Sequence, residues 1–244
     1  MTTLSIAVIV FFSYFVQSAF GFGAGILAIP MLSLFMDAKD AITVVMLFSF
    51  LCGLLILASW RDIDWPNTRR LIPGLALGVI AGLILFSIID RRFLGACLAA
   101  YIILYVLVDH FKPPSLLALG HSTPAVVQAL MCGFAGGLVQ GVMGTGGPML
   151  VTFLKSHTRS VDQFRASVVC VFFIANTMRV AVMGAGEMIP RALLLECAWA
   201  LPFFGAALFL GWRLPRKIDS HLFHAAINLL LLASGITILF KQVF

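Results

Sequence analysis

VQSAFGFGAGILAIPML, residues Val16–Leu32, comes back at Val139–Leu154 as VQGVMGTGGPMLVTFL. Gln17 matches Gln140, Gly21 matches Gly144, Gly23 matches Gly146 and Leu27 matches Leu150, all at a shift of 123 residues. Each copy places a glycine-rich break inside an apolar stretch. Broken apolar segments at matching places in two halves are the sequence mark of a transport site built on discontinuous membrane helices.

The composition agrees. The chain of 244 residues is 61% hydrophobic and 11% charged, with a mean hydropathy of +1.08, far from the roughly 45–50% apolar and 25% charged of soluble domains. Apolar runs of about twenty residues, enough to span roughly 30 Å of hydrocarbon, fill nearly the whole sequence. They are continuous rather than alternating, which predicts helices and not a barrel. The expected fold is all-α, a multi-pass membrane protein. A cleavable signal peptide is disfavoured at the N-terminus, because no basic region precedes the first apolar run and cleavage would remove half of the repeat. The net charge of +6 comes from loop Lys and Arg, so it points to topology and anionic lipid, not to nucleic acid. Cys52, Cys97, Cys132, Cys170 and Cys197 stand singly in apolar runs and read as small buried hydrophobes.

HFKPPSLLALGHSTP, with its Pro113-Pro114 pair and Gly120, cannot sit inside a helix. It divides the chain into a first transmembrane repeat at 1–108, a linker at 109–124 and a second repeat at 125–244. Beyond the motifs the halves keep step. Asp40-Ala41 aligns with Arg165-Ala166, and Pro73, Gly82 and Asp90 align with Pro202, Gly211 and Asp219 at a shift of 129.

Loop charge gives the sign of the repeat. Counting Lys and Arg, Asp37–Asp40 has one against three in Lys155–Arg165. Arg61–Arg70 has three against one in Gly184–Arg191, and Asp90–Arg92 has two against three in Arg213–Asp219. Putting every richer member on the cytoplasmic face requires the halves to be inverted, each with a broken or re-entrant glycine-rich helix plus three transmembrane helices.

Glycine lets the backbone leave the helix at Gly21, Gly23 and Gly25 and again at Gly144, Gly146 and Gly147. The amide N–H groups released there need partners at membrane depth. The short helices that restart near Ile26 and Met149 would turn their positive N-terminal ends to the break, and two such ends make a site for an anion. Close helix packing through Gly21-x-x-x-Gly25 is the competing reading, set aside because the pattern is duplicated in register. Gln17 and Gln140 can donate to an anion or bridge helices. Ser18, Thr145 and Asn176 could face a cavity. Arg179 sits about a turn from its span's end, where it could snorkel or take part in the site. No carboxylate lies near a span centre, so a proton relay is not indicated, and an anion exporter does not require one.

GFGAGILAIPML, its degenerate copy GTGGPMLVTFL and the Asp40-Ala41-Ile42-Thr43 segment resemble the TauE/SafE-type sulfite exporter family of bacterial inner-membrane permeases. The resemblance implies export of sulfite, organosulfonates or related small oxyanions across the bacterial inner membrane. Ala24 stands where a third glycine is common, and Phe153 replaces the proline that would match Pro30. No cofactor or metal is implied; the partners expected are a small oxyanion and the lipid bilayer, with assembly of copies left open. No H-E-x-x-H or G-x-S-x-G constellation suggests an enzyme. A cation-coupled or neutral-solute carrier is the alternative, since unwound carbonyls also bind Na⁺, and a non-transporting membrane assembly subunit is the third reading.

Overall fold

In hydrocarbon only a helix satisfies all its own N–H and C=O groups within one segment, and the apolar runs are helical in the computed structural model of the chain. It describes residues 2–20, 23–54, 60–111, 124–213, 234–235 and 237–238. The helices are α1 (Thr2–Phe20), α2 (Ala24–Ser33), α3 (Ala38–Gly53), α4 (Trp65–Ile88), α5 (Arg91–Phe111), α6 (Ala125–Met143), α7 (Gly147–His157), α8 (Val161–Ala185) and α9 (Arg191–Arg213), with a 3₁₀ turn at Trp60–Asp62. Among the described residues there is no strand. α5 continues through Phe111, into the stretch expected as linker. Residues 112–123, and most of the last expected span, lie outside the described residues.

α4, α6, α8 and α9 are long and apolar enough to cross a membrane. Their outward faces are apolar too: Leu77 is 64% exposed and Trp199 74%. Large apolar side chains turned outward on such helices mark a surface that meets lipid. The chain is a polytopic helical membrane protein. Its five cysteines are free; Cys52, Cys170 and Cys197 are buried.

The helices gather into two compact units. The first draws on Met1–Val45, Ile89–Lys112 and Ile189–Phe244, the second on Met46–Ile88 and Pro113–Met188. Each unit thus combines a motif from one sequence half with a long helix from the other: α1 packs on α9 in the first, α6 on α4 in the second.

The second pair is joined by glycine. α4 contributes Gly74, Gly78 and Gly82, and α6 contributes Gly133, Gly137 and Gly141; a Cβ on any of them would run into backbone of the facing helix. On Gly82 it would lie 2.5 Å from the Leu138 carbonyl oxygen and 2.8 Å from the Gly141 Cα. Small residues at every fourth position bring helices this close, and the gain is van der Waals contact along the whole seam.

The first unit repeats one of these contacts. A Cβ on Gly211 of α9 would lie 2.7 Å from the Phe15 carbonyl oxygen and 2.6 Å from the Ser18 Cβ. Gly211, Phe15 and Ser18 are the alignment mates of Gly82, Leu138 and Gly141. Farther along, Gly137 and Leu75 are replaced by Tyr14 and Phe204, whose rings meet edge-on at 5.0 Å. The Tyr14 hydroxyl donates to the Val45 carbonyl at 3.0 Å.

Loop contacts set which ends lie together within each unit. In the second, Asn67 Nδ2 donates to the His157 carbonyl at 3.3 Å and the Asp64 N–H to Ser167 Oγ at 2.9 Å. The starts of α4 and α8 and the end of α7 therefore share one end. Gly186 caps the other end of α8, which at 1.5 Å per residue is about 37 Å long. In the first unit Arg91 pairs with Asp37 at 2.7 Å and with Asp40 at 3.6 Å, joining the starts of α3 and α5.

Candidate anion-binding site

α2 begins at Ala24 and α7 at Gly147, each two residues earlier than expected from Ile26 and Met149. Both follow a glycine, Gly23 and Gly146, which has no side chain to cap the first turn. The first N–H groups of a helix have no intrahelical acceptor and need an outside one. A glutamine from the preceding helix supplies it both times. The Ala24 N–H donates to Gln17 Oε1 at 3.3 Å, and the Gly146 N–H to Gln140 Oε1 at 2.8 Å. Gln140 also accepts from the Gly144 N–H through its main-chain oxygen at 2.9 Å, so it clasps the end of α6 to the start of α7. The amide oxygens of the two glutamines thus bridge helices, one of the two roles the sequence allows them.

Behind this cap the second unit carries a buried polar line. Gln140 Nε2 donates to Asn176 Oδ1 on α8 at 3.4 Å. Gln140 is 2% exposed and Asn176 1%. Three residues on, and so on the same face of α8, comes Arg179, which is fully buried. Its Nε, Nη1 and Nη2 have no hydrogen-bond partner, and no ion pair reaches it among the described residues. α8 continues to Ala185, so Arg179 lies about 9 Å inside the helix end at 1.5 Å per residue, deeper than expected. It does not snorkel. A guanidinium stays charged at any accessible pH, and taking it out of water unpaired costs several kcal/mol.

Thr145, 5% exposed, lies in the turn between α6 and α7. Gly25 and Gly147 sit in the first turns of α2 and α7. Ser18 is engaged elsewhere: its hydroxyl donates to the Leu208 carbonyl of α9 at 2.8 Å. Gly21 lies outside the described residues. Among the described residues, no three His, Cys, Asp or Glu come together as metal ligands. The second unit thus holds a helix N-terminus and a buried pair of neutral amides, and one turn beyond Asn176 on α8 a guanidinium with no counter-charge among the described residues.

Residues 6–238 match the family model described as sulfite exporter TauE/SafE. The chain belongs to that family. TauE/SafE proteins are transporters, and this chain is a multi-pass transporter of the inner membrane, not an enzyme. It is 28% identical over 184 residues, 74% of either chain, to the "Probable inner membrane transporter protein TsaS" of Comamonas testosteroni. It is 25% identical over 211 residues, 83% of this chain and 80% of the relative, to the "Probable sulfite/organosulfonate exporter TauE" of Cupriavidus necator. No solved structure matches.

Two features of this TauE/SafE chain escaped the sequence reading. One is the glycine seam of α4 and α6, although GLALGVIAG and GFAGGLVQG each spell small residues at every fourth position. The other is Gly136, which Gly146 approaches so closely that a Cβ on Gly146 would run into the Gly136 carbonyl. Its only signal was a position one turn before Gln140.

Proposed function

We propose that this protein exports small oxyanions, sulfite or organosulfonates among them, and that in the second unit the anion binds Arg179 together with the first-turn amides of α7. The observation that carries the proposal is the burial of Arg179 without a counter-charge among the described residues. Such a residue raises the energy of the empty protein, and a bound anion removes the cost. The buried charge being a cation argues against a Na⁺ carrier, which would want carboxylates or free carbonyls there. The similarity to a sulfite/organosulfonate exporter supports the choice of oxyanion. The glutamine-capped break of the first unit offers amides of its own, and the proposal includes them at membrane depth.

The same proposal takes the two sequence halves as an inverted repeat. In its support, the basic stretches Arg61–Arg70 and Lys155–Arg165 come to one end of the second unit, with Gly186 at the other end of α8. The two acid-bearing loops Asp37–Asp40 and Asp90–Arg92 meet through Arg91 in the first. A parallel repeat would put Arg61–Arg70 and Gly184–Arg191 on one face. Single cysteines at Arg69 and Ser156 should therefore label from the cytoplasm and one at Gly186 from outside; labelling of Arg69 and Gly186 from one face would end the inverted reading.

The site is tested by Arg179→Gln. Sulfite and methanesulfonate binding to the purified protein should fall at least tenfold while the melting temperature holds or rises, because the variant removes a buried unpaired charge. Unchanged binding, or a collapse of folding that Arg179→Met also shows, would make Arg179 structural.

A further inference from the structure

We infer that the site at Arg179 accepts its anion with one net negative charge, so that its substrates are monoanions: sulfonates, sulfate monoesters and the hydrogen form of sulfite, rather than dianions. The inference rests on the anion-site reading above and adds a charge count to it. Among the described residues Arg179 is the only buried charged side chain; Asn176, the buried polar residue nearest to it in the chain, and Gln140, hydrogen-bonded to Asn176, are neutral. A guanidinium supplies one positive charge and a fork of donors that fits two oxygens of a tetrahedral anion.

The α7 terminus adds about half a charge at most, and part of that is already spent. Gln140 Oε1 occupies the Gly146 N–H, and Pro148 in the first turn brings no N–H at all. Asn176 gives its oxygen to Gln140 and keeps its Nδ2 hydrogens as neutral donors. A monoanion closes the site to neutrality. A dianion leaves a net negative charge in a low-dielectric interior, where the solvation penalty rises with the square of the charge. The hydrogen bonds can be equally good for both, so charge rather than shape decides.

Methyl sulfate and methyl phosphate separate charge from shape. They are near-isosteric tetrahedral monoesters, but methyl sulfate stays a monoanion while a phosphate monoester loses its second proton near pH 6. Affinities of both for the full chain in lipid nanodiscs would be measured by calorimetry at pH 5 and pH 8. The ratio between the two ligands cancels any titration of the protein itself. The two should bind alike at pH 5, whereas at pH 8, with about 1% of methyl phosphate still monoanionic given that second ionisation, it should bind roughly 100-fold more weakly. Methyl phosphate matching methyl sulfate at pH 8 would overturn the charge count and leave the anion site standing. Failure of both ligands at both pH values would overturn the anion site and the charge count together. Arg179→Lys, which keeps the charge, should keep the pH 8 ratio; Arg179→Gln retaining both affinity and ratio would show that the counted charge is not Arg179.

Discussion

The two helix interruptions share a glutamine but use their second glycine for different reasons. Gly23 has φ 109°, a left-handed conformation that an L side chain takes only with strain, and open space where its Cβ would be. Gly146 has an ordinary φ of −65° and no space, with the Gly136 carbonyl and Gln140 against it. One glycine is kept for backbone conformation, the other for close approach. A residue repeated in register therefore need not repeat its physical role, and the tight copy is the one whose glutamine also reaches Asn176.

Substitutions can break this contrast. Gly146→Ala should have the largest effect, about 3 kcal/mol, since overfilling a packed site commonly costs 1–3 kcal/mol and here the obstacle is backbone that cannot swing aside. The melting temperature in detergent would report it, and Gly146→Asn should be no better. Gln140→Leu should follow at about 2 kcal/mol, the cost of orphaning buried polar partners, and should weaken anion binding as well, because Asn176 loses its anchor. Gly23→Ala should cost about 1–2 kcal/mol from its positive φ; here Gly23→Asn should recover part of the loss, as asparagine tolerates that region. Rescue by asparagine at Gly146 but not at Gly23 would reverse the assignment of roles. The smallest effect is expected from Gln17→Leu, about 0.5–1 kcal/mol, for a longer and half-exposed bond.

A parallel contrast separates the helix pairs. The α4·α6 seam is backbone against backbone, while the α1·α9 seam keeps Gly211 and sets the rings of Tyr14 and Phe204 where α6 and α4 have Gly137 and Leu75. Rings can re-pack and glycines cannot, so the first pair is the more adaptable of the two.

What could be read in the sequence follows from range. Helical class and membrane residence come from local composition, and they were legible. The glutamine caps were half legible: Gln17 and Gln140 stood out by register, but their choice between ligand and helix bridge depends on a bond to an amide six or seven residues on. Arg179 stood out as an ionisable residue in an apolar run, but its burial depends on where α8 ends and on what surrounds it. The α4·α6 seam could have been read one helix at a time. That the two stripes face each other is a long-range fact, since 36 residues separate the two helices.

That separation shapes how the protein is made. α4 exposes its glycine stripe until α6 is complete, another 55 residues along the chain, which at about 5–20 residues per second leaves it waiting for several seconds. α1 waits far longer, because α9 is the last fully described helix to emerge. Neither half can bury its seam without the other, so a chain truncated after its first repeat would enter the bilayer with both seams open and pair with whatever helix it met, another truncated copy included.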